Sequence, residues 1–245
     1  MQLSDTSRVE AITGILATLL VHDQNNSWKQ LQFMETVGGV PGWFCHARAM
    51  PWTLSRWPEY GSVATMIIEQ IWTGNALRNF NYLIACPETG AALAIDPLDY
   101  QKCLEMANSN GWQISQVVNT HHHPDHIGGN GPLLEATGAK LLAHEKAGPH
   151  IPGIDHGLRG GDVVRVGKRV ELLVLDTPGH TMSHICLLSM TDTAAMISGD
   201  TLFNAGAGNC RHGGSPEELF KTFRTQLFDL PEHTRVYPGH DYIIH

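Results

Sequence analysis

The chain has 245 residues, 42% of them hydrophobic, which is enough to bury the core of one sizeable α/β domain, with or without an appendage, and too apolar for a disordered chain. Its formal charge is −8 and it has no run of lysine or arginine, so nucleic acid and an anionic membrane are not expected as partners. Five cysteines (Cys45, Cys86, Cys103, Cys186, Cys210), odd in number and without a C-x-x-C pair, argue against a disulfide framework or a thiolate zinc site and suit a reducing cytoplasm.

Residues 1–65 read differently from the rest. Ala11 to Val21 is apolar but too short to span a bilayer, and it runs into His22-Asp23 without a small-residue cleavage site, so no signal peptide is expected. Beyond it, Gly38 to Trp52 keeps neither a helical nor a strand period, and three of the six tryptophans fall among prolines and glycines between Trp43 and Trp57. We divide the chain into an N-terminal extension, 1–65, without a readable structure, and a main domain, 66–245, that opens on the strand-like run Met66 to Gly74.

From there the pattern is regular. Strand-like runs at Asn81–Cys86 and Ala91–Ile95 lead through Asp96-Pro97 into a helix over Asp99–Asn110, then a β-branched strand at Ile114–Asn119. A helix is expected over Ile127–Thr137, strands at Lys140–Ala143, Val163–Val166, Val170–Leu175, Ile185–Ser189 and Ala194–Ile197, a helix over Pro216–Phe228 and a last strand at Arg235–Tyr237. Such alternation argues for an α/β fold.

Between the strand ending at Asn119 and the next helix lies Thr120-His121-His122-His123-Pro124-Asp125-His126-Ile127-Gly128-Gly129. Imidazole and carboxylate suit zinc, iron and manganese, and a loop held by a sheet keeps such side chains accessible. In an extended backbone His121 and His123 point the same way and His122 elsewhere. Asp125 and His126, one turn on, face a neighbouring point, which suggests two adjacent metals. Each needs further ligands. His180, Asp200 and His240 are the candidates, each at the end of an apolar run and each preceded by a glycine that permits a tight turn. His184, four residues after His180, is read equally well as a residue that orients a ligand or as a structural one. The remaining histidines are read as surface or hydrogen-bonded groups.

These motifs, in this order, resemble the metallo-β-lactamase superfamily, whose T-H-x-H-x-D-H loop is followed by a histidine, a bridging aspartate and a final histidine. Three phrases are most similar to the glyoxalase II (hydroxyacylglutathione hydrolase) branch: the histidine loop, Ser198-Gly-Asp-Thr-Leu-Phe-Asn-Ala-Gly, and the ending from Leu230 to Tyr242. The resemblance covers about Met66 onward. It implies a four-layer αββα sandwich with the metals at strand ends, here without the helical domain that completes the glutathione pocket in that branch.

It also implies two divalent ions, zinc first with iron or manganese as alternatives. His121, His123 and His180 would hold one and Asp125, His126 and His240 the other, with Asp200 bridging. Two metals sharing a water lower its pKa from about 15.7 to about 7, giving a metal-bound hydroxide that Asp125 helps hold in line. A thiolate leaves readily because a thiol's pKa is about 8.5. The expected reaction is therefore hydrolysis of a small-molecule thioester such as an S-(2-hydroxyacyl)glutathione. Substrate contacts fall by resemblance on Asn209, Cys210, Arg211 and Tyr242, although the first three depart from the branch's basic and aromatic residues. Two alternatives stand beside this: a persulfide dioxygenase with one iron, and a metal-binding fragment without catalysis.

Overall fold

The computed structural model describes residues 17–22, 28–33, 66–190 and 194–242. The tryptophan-rich stretch from Trp43 to Trp57 and Cys45 lie outside the described residues.

Two sheets face each other. One has six strands in the order β3 (Ile67–Trp72), β4 (Phe80–Ala85), β5 (Ala91–Ile95), β6 (Gln113–Asn119), β7 (Lys140–His144) and β8 (His156–Leu158). The other has seven, in the order β2 (Trp28–Phe33), β1 (Ala17–His22), β15 (Arg235–Pro238), β12 (Ala194–Gly199), β11 (Ile185–Met190), β10 (Val170–Asp176) and β9 (Val163–Val166). A short hairpin of β13 (Leu202–Phe203) and β14 (Gly206–Ala207) stands apart from both. The strands expected at Lys140–Ala143, Val163–Val166, Val170–Leu175, Ile185–Ser189, Ala194–Ile197 and Arg235–Tyr237 are all present within two residues at either end.

Side-chain alternation explains how each sheet buries both faces. Along β4, Phe80, Tyr82 and Ile84 enter the core between the sheets, while Leu83 and Ala85 enter a second core under the helices α1 (Tyr100–Asn110) and α3 (Asn130–Thr137). Along β11, Ile185 and Leu187 join the central core, and Cys186 and Leu188 pack outward with Leu227 and Phe223, next to α4 (Pro216–Thr222). The result is a helix–sheet–sheet–helix sandwich. Strands covered on both faces read as continuous apolar runs rather than alternating ones, which is why β4, β5 and β12 have no polar stripe.

Local chemistry sets the element ends. Asp99 caps α1 by accepting from the Lys102 backbone N–H at 3.2 Å, and Gly111 closes the helix at φ 69°. The helix expected over Ile127–Thr137 is instead two pieces, α2 (Pro124–Ile127) and α3, because the chain passes against the Pro97–Leu98 backbone at Gly128-Gly129. The helix expected to reach Phe228 is α-helical only to Thr222, then widens into a π-turn over Phe223–Leu227.

The sequence shows no strand pattern before Met66, yet β1 pairs in parallel with β15, through Leu20↔Arg235 and Val21↔Val236, and β2 pairs antiparallel with β1. Parallel addition to an existing sheet edge needs backbone groups rather than a side-chain period, so it leaves little trace in sequence. We retain as a proposal the division at residue 65, since every candidate ligand lies beyond it.

A Cβ at Gly129 would overlap the carbonyl oxygens of Pro97 and Leu98, whereas one at Gly131 would meet nothing within 4 Å. Gly129→Ala is therefore expected to cost at least about 1–3 kcal/mol by overpacking. Gly131→Ala, on the exposed side of α3, should gain up to about 1 kcal/mol. Thermal melting of the two variants side by side checks the opposite signs.

Candidate metal centre

The site lies where several strand ends of the two sheets meet. The loop after β6 supplies His121 and His123, α2 supplies Asp125 and His126, and the β10–β11 turn supplies His180. Asp200 follows β12 and His240 follows β15. Two groups of donor atoms form. In the first, His123 Nδ1 lies 3.1 Å from His121 Nε2 and 3.0 Å from His180 Nε2. In the second, His240 Nε2 lies 3.2 Å from His126 Nε2 and 3.4 Å from Asp125 Oδ2.

Asp200 reaches both groups. Its Oδ1 is 3.3 Å from His126 Nε2, and its Oδ2 is 3.2 Å from His240 Nε2, 3.4 Å from His180 Nε2 and 3.9 Å from His121 Nε2. Gly199 (φ 48°) turns the chain so that this carboxylate faces inward, and a Cβ on Gly239 would collide with Asp200 Oδ1 and His126 Cε1. All seven candidate ligands read from the sequence are thus brought together. His122 is not among them: its ring stacks on His150 at 4.3 Å, with Nδ1 3.5 Å from Ser183 Oγ.

The opposite ring nitrogens are all engaged. His180 Nδ1 donates to the Asn209 carbonyl (2.6 Å), His240 Nδ1 to the Leu77 carbonyl (2.7 Å) and His123 Nε2 to the His212 carbonyl (3.2 Å). His126 Nδ1 donates to Asp96 Oδ2 (3.1 Å). Thr120 gives its hydroxyl proton to Asp96 Oδ2 (2.6 Å), so its oxygen accepts from His121 Nδ1 (3.0 Å). These partners fix the tautomers. With no proton on them the five inward nitrogens carry lone pairs, and lone pairs about 3 Å apart repel unless a cation lies between them.

The residues therefore fit a metal pair. Metal–nitrogen bonds of about 2.0–2.1 Å put tetrahedral donors about 3.3 Å apart, close to the spacings seen. Asp200 Oδ1 is buried with no hydrogen-bond donor of its own, as a bridging oxygen would be. Burial alone would raise the Asp200 carboxyl, but the facing histidine rings, His126 first, hold it well below the usual carboxylate range. Burial also lowers His121, His180 and His184, keeping those rings neutral.

Asp96 was missed in the sequence, where it reads as part of a loop. It is buried at φ 48°, accepts the Thr120 backbone N–H (2.8 Å) besides the Thr120 hydroxyl and His126, and so organises ligands of both groups. Asn81, also buried, holds it there by donating to the Asp96 carbonyl and accepting from the Asp99 N–H. A lone Asp-Pro after a strand carries no signal that separates this role from a turn. His184 touches a candidate ligand through its backbone: its Nε2 accepts the Asp200 N–H at 3.1 Å, and its Nδ1 faces Thr177 and Thr201 hydroxyls.

Of the residues expected to meet substrate, Tyr242 stacks on His240 (5.4 Å between ring centres, 10° apart) and packs edge-on to Phe203, with 44% of its surface exposed. Asn209 has its carbonyl occupied by His180 and its Oδ1 by the Arg211 N–H at 3.1 Å. Arg211 is exposed and Cys210 partly buried.

Residues 81–240 match the metallo-beta-lactamase superfamily model, and the chain belongs to that superfamily. It is 66% identical over 178 residues, 73% of this chain and 68% of the relative, to a hydroxyacylglutathione hydrolase of a Polaromonas species. A hydroxyacylglutathione hydrolase of Nitrosococcus oceani is 62% identical over the same shares. Among solved structures, ETHE1 from Myxococcus xanthus is similar with a TM-score of 0.64 and 33% identity, over 72% of this chain and 76% of that one. Within the superfamily, the chain is a member of the hydroxyacylglutathione hydrolase, or glyoxalase II, branch.

Asp200 touches both groups, so Asp200→Ala is expected to lower occupancy of both and not of one alone. Elemental analysis of the purified variant beside the wild type checks this.

Proposed function

We propose that the chain is a metal-dependent hydrolase that cleaves a thioester of the S-(2-hydroxyacyl)glutathione type, with two divalent ions held by His121, His123 and His180, by Asp125, His126 and His240, and by Asp200 between them. The observation that carries this reading is the pair of converging lone-pair clusters joined by one buried carboxylate. The identity to hydroxyacylglutathione hydrolases supports the thioester as substrate. Zinc is the ion we assign first, on the nitrogen-rich donor set.

Such ions, when bound, would bring the pKa of a shared water to about 7 and polarise the substrate carbonyl. The protein's own part is orientation. Asp125, half-buried, points its carboxylate at the second group and is the residue we assign to hold the attacking water in line. The departing thiol, with a pKa of about 8.5, leaves as thiolate without a positioned acid. Tyr242 forms a wall beside His240, and the side chains of Asn209, Cys210 and Arg211 are the contacts we assign to the acyl-thiol, with the Arg211 guanidinium suited to a carboxylate. We place the protein in the cytoplasm, on the free thiols of Cys86, Cys103, Cys186 and Cys210. Among the described residues no helix is long and apolar enough to cross a membrane.

The second cluster of Asp125, His126 and His240 is complete, which favours two metals over a single iron. The test is thiol release from an S-(2-hydroxyacyl)glutathione by the purified protein, lost after chelation and restored by added metal. Asp125→Asn should lower kcat by about 10²-fold or more. Tyr242→Ala should act mainly on KM, as loss of a contact made equally in ground and transition states. Oxygen uptake with a glutathione persulfide and no thiol release from the thioester would overturn the reading.

A further inference from the structure

Asn79, the residue just before β4, is fully buried and lies outside every motif singled out in the sequence. Its amide nitrogen donates to Asp125 Oδ2 at 3.1 Å and to the Asp125 carbonyl at 3.2 Å, and lies 3.4 Å from His240 Nε2. Its amide oxygen accepts from Asn75 Nδ2 at 2.8 Å, while Asn75 Oδ1 accepts the Asn79 backbone N–H at 3.1 Å. That reciprocal pair settles which way the amide faces, since a flipped Asn79 would set donor against donor at Asn75 and acceptor against carboxylate at Asp125.

The backbone is tied to the same place. Asn79 forms an isolated antiparallel bridge with His240, and the Phe80 N–H donates to the Gly239 carbonyl at 2.8 Å. One residue just before β4 thus links a candidate ligand on α2 to a candidate ligand at the end of β15 in the other sheet.

We propose that Asn79 is a positioning residue for the second metal, holding the Asp125 carboxylate at the separation from His240 that the ion requires. The proposal rests on the two-metal reading above. The His240 ring is already oriented by the Leu77 carbonyl, so its Nε2 keeps a lone pair, and the two amide hydrogens of Asn79 go to Asp125. The Asp125 carboxylate otherwise faces the candidate ligand nitrogens His126 Nε2, at 3.7 Å, and His240 Nε2, at 3.4 Å. Without the amide, a half-buried carboxylate is free to turn away from the centre. The first group, His121, His123 and His180, has no bond to Asn79 and should be unaffected.

The experiment is cobalt(II) titration of metal-free protein, followed by visible absorption, for wild type, Asn79→Ala, Asn79→Asp and Asn75→Ala. Wild type should take up two equivalents. Asn79→Ala should keep the first and bind the second 10–100-fold more weakly, the range in which outer partners tune metal affinity. Asn79→Asp, of nearly identical shape, should do the same, because it sets a carboxylate against a carboxylate. Asn75→Ala, which frees the amide, should shift the second step in the same direction by less.

Two tight equivalents with a wild-type spectrum in both Asn79 variants would overturn the proposal. So would parallel loss of both equivalents together with a lower melting temperature of the metal-free protein, the mark of a merely structural role. Wild-type protein that binds fewer than two equivalents would instead overturn the two-metal reading, and this inference with it.

Discussion

Unprotonated nitrogens that face one another across about 3 Å are the constraint on which the rest of this structure depends. A ring left to itself would turn or take a proton to escape that repulsion. Here it cannot turn, because each opposite nitrogen is tied to a carbonyl, a hydroxyl or a carboxylate. Burial opposes protonation at His121 and His180. At His126 burial acts the same way, but the Asp200 and Asp96 carboxylates prevail and raise it well above its ordinary value. Without a metal that ring is therefore the one that takes a proton, which a bound ion would displace.

The fold answers this constraint by bringing strand ends from two sheets to one place. β6 feeds the histidine loop, while β12 and β15, parallel neighbours in the second sheet, deliver Asp200 and His240 side by side. Interlocking contacts fasten the edges. Tyr82 of the six-stranded sheet donates its hydroxyl proton to the Pro238 carbonyl at the end of β15, two residues before His240. The Ile185 N–H donates to the Thr120 carbonyl at 2.9 Å, joining β11 to the histidine loop. Each of these bonds lies within two residues of a ligand or of His184, so the packing of the sandwich and the geometry of the centre are one problem.

The mouth of the site is less determined than its floor. Arg78, at φ 62°, reaches across to the buried Asp241, which also takes a hydrogen bond from Asn204, and Asn204 in turn accepts the Tyr242 N–H at 3.0 Å. This chain of bonds explains why Tyr242 lies flat on His240. The residues around Arg211 are mostly exposed, and the aligned segment spans 68% of the Polaromonas relative's length. The candidate ligands thus lie in the well-packed part of the molecule, and the residues proposed to meet substrate in its loops.

The ligands were legible in the sequence because their spacing is local and their neighbours are distinctive. A histidine loop after a β-branched run, and three apolar runs each ending in glycine and a ligand, mark the sites without any knowledge of distance. The alternation of strands and helices from Met66 onward was readable for a similar reason, since burial on both sides of a sheet leaves continuous apolar runs. Other features were decided only by tertiary structure. Asp96, Asn79, Asn81 and His184 make their hydrogen bonds to residues distant in the chain, and nothing next to them in sequence announces a partner. The break at Gly128-Gly129 follows from the approach of the Pro97–Leu98 backbone, and the pairing of β1 with β15 from an open sheet edge. Residue type and spacing mark which groups are candidates to hold a metal; only the packing of one sheet against the other decides which side chains are bonded to those candidates.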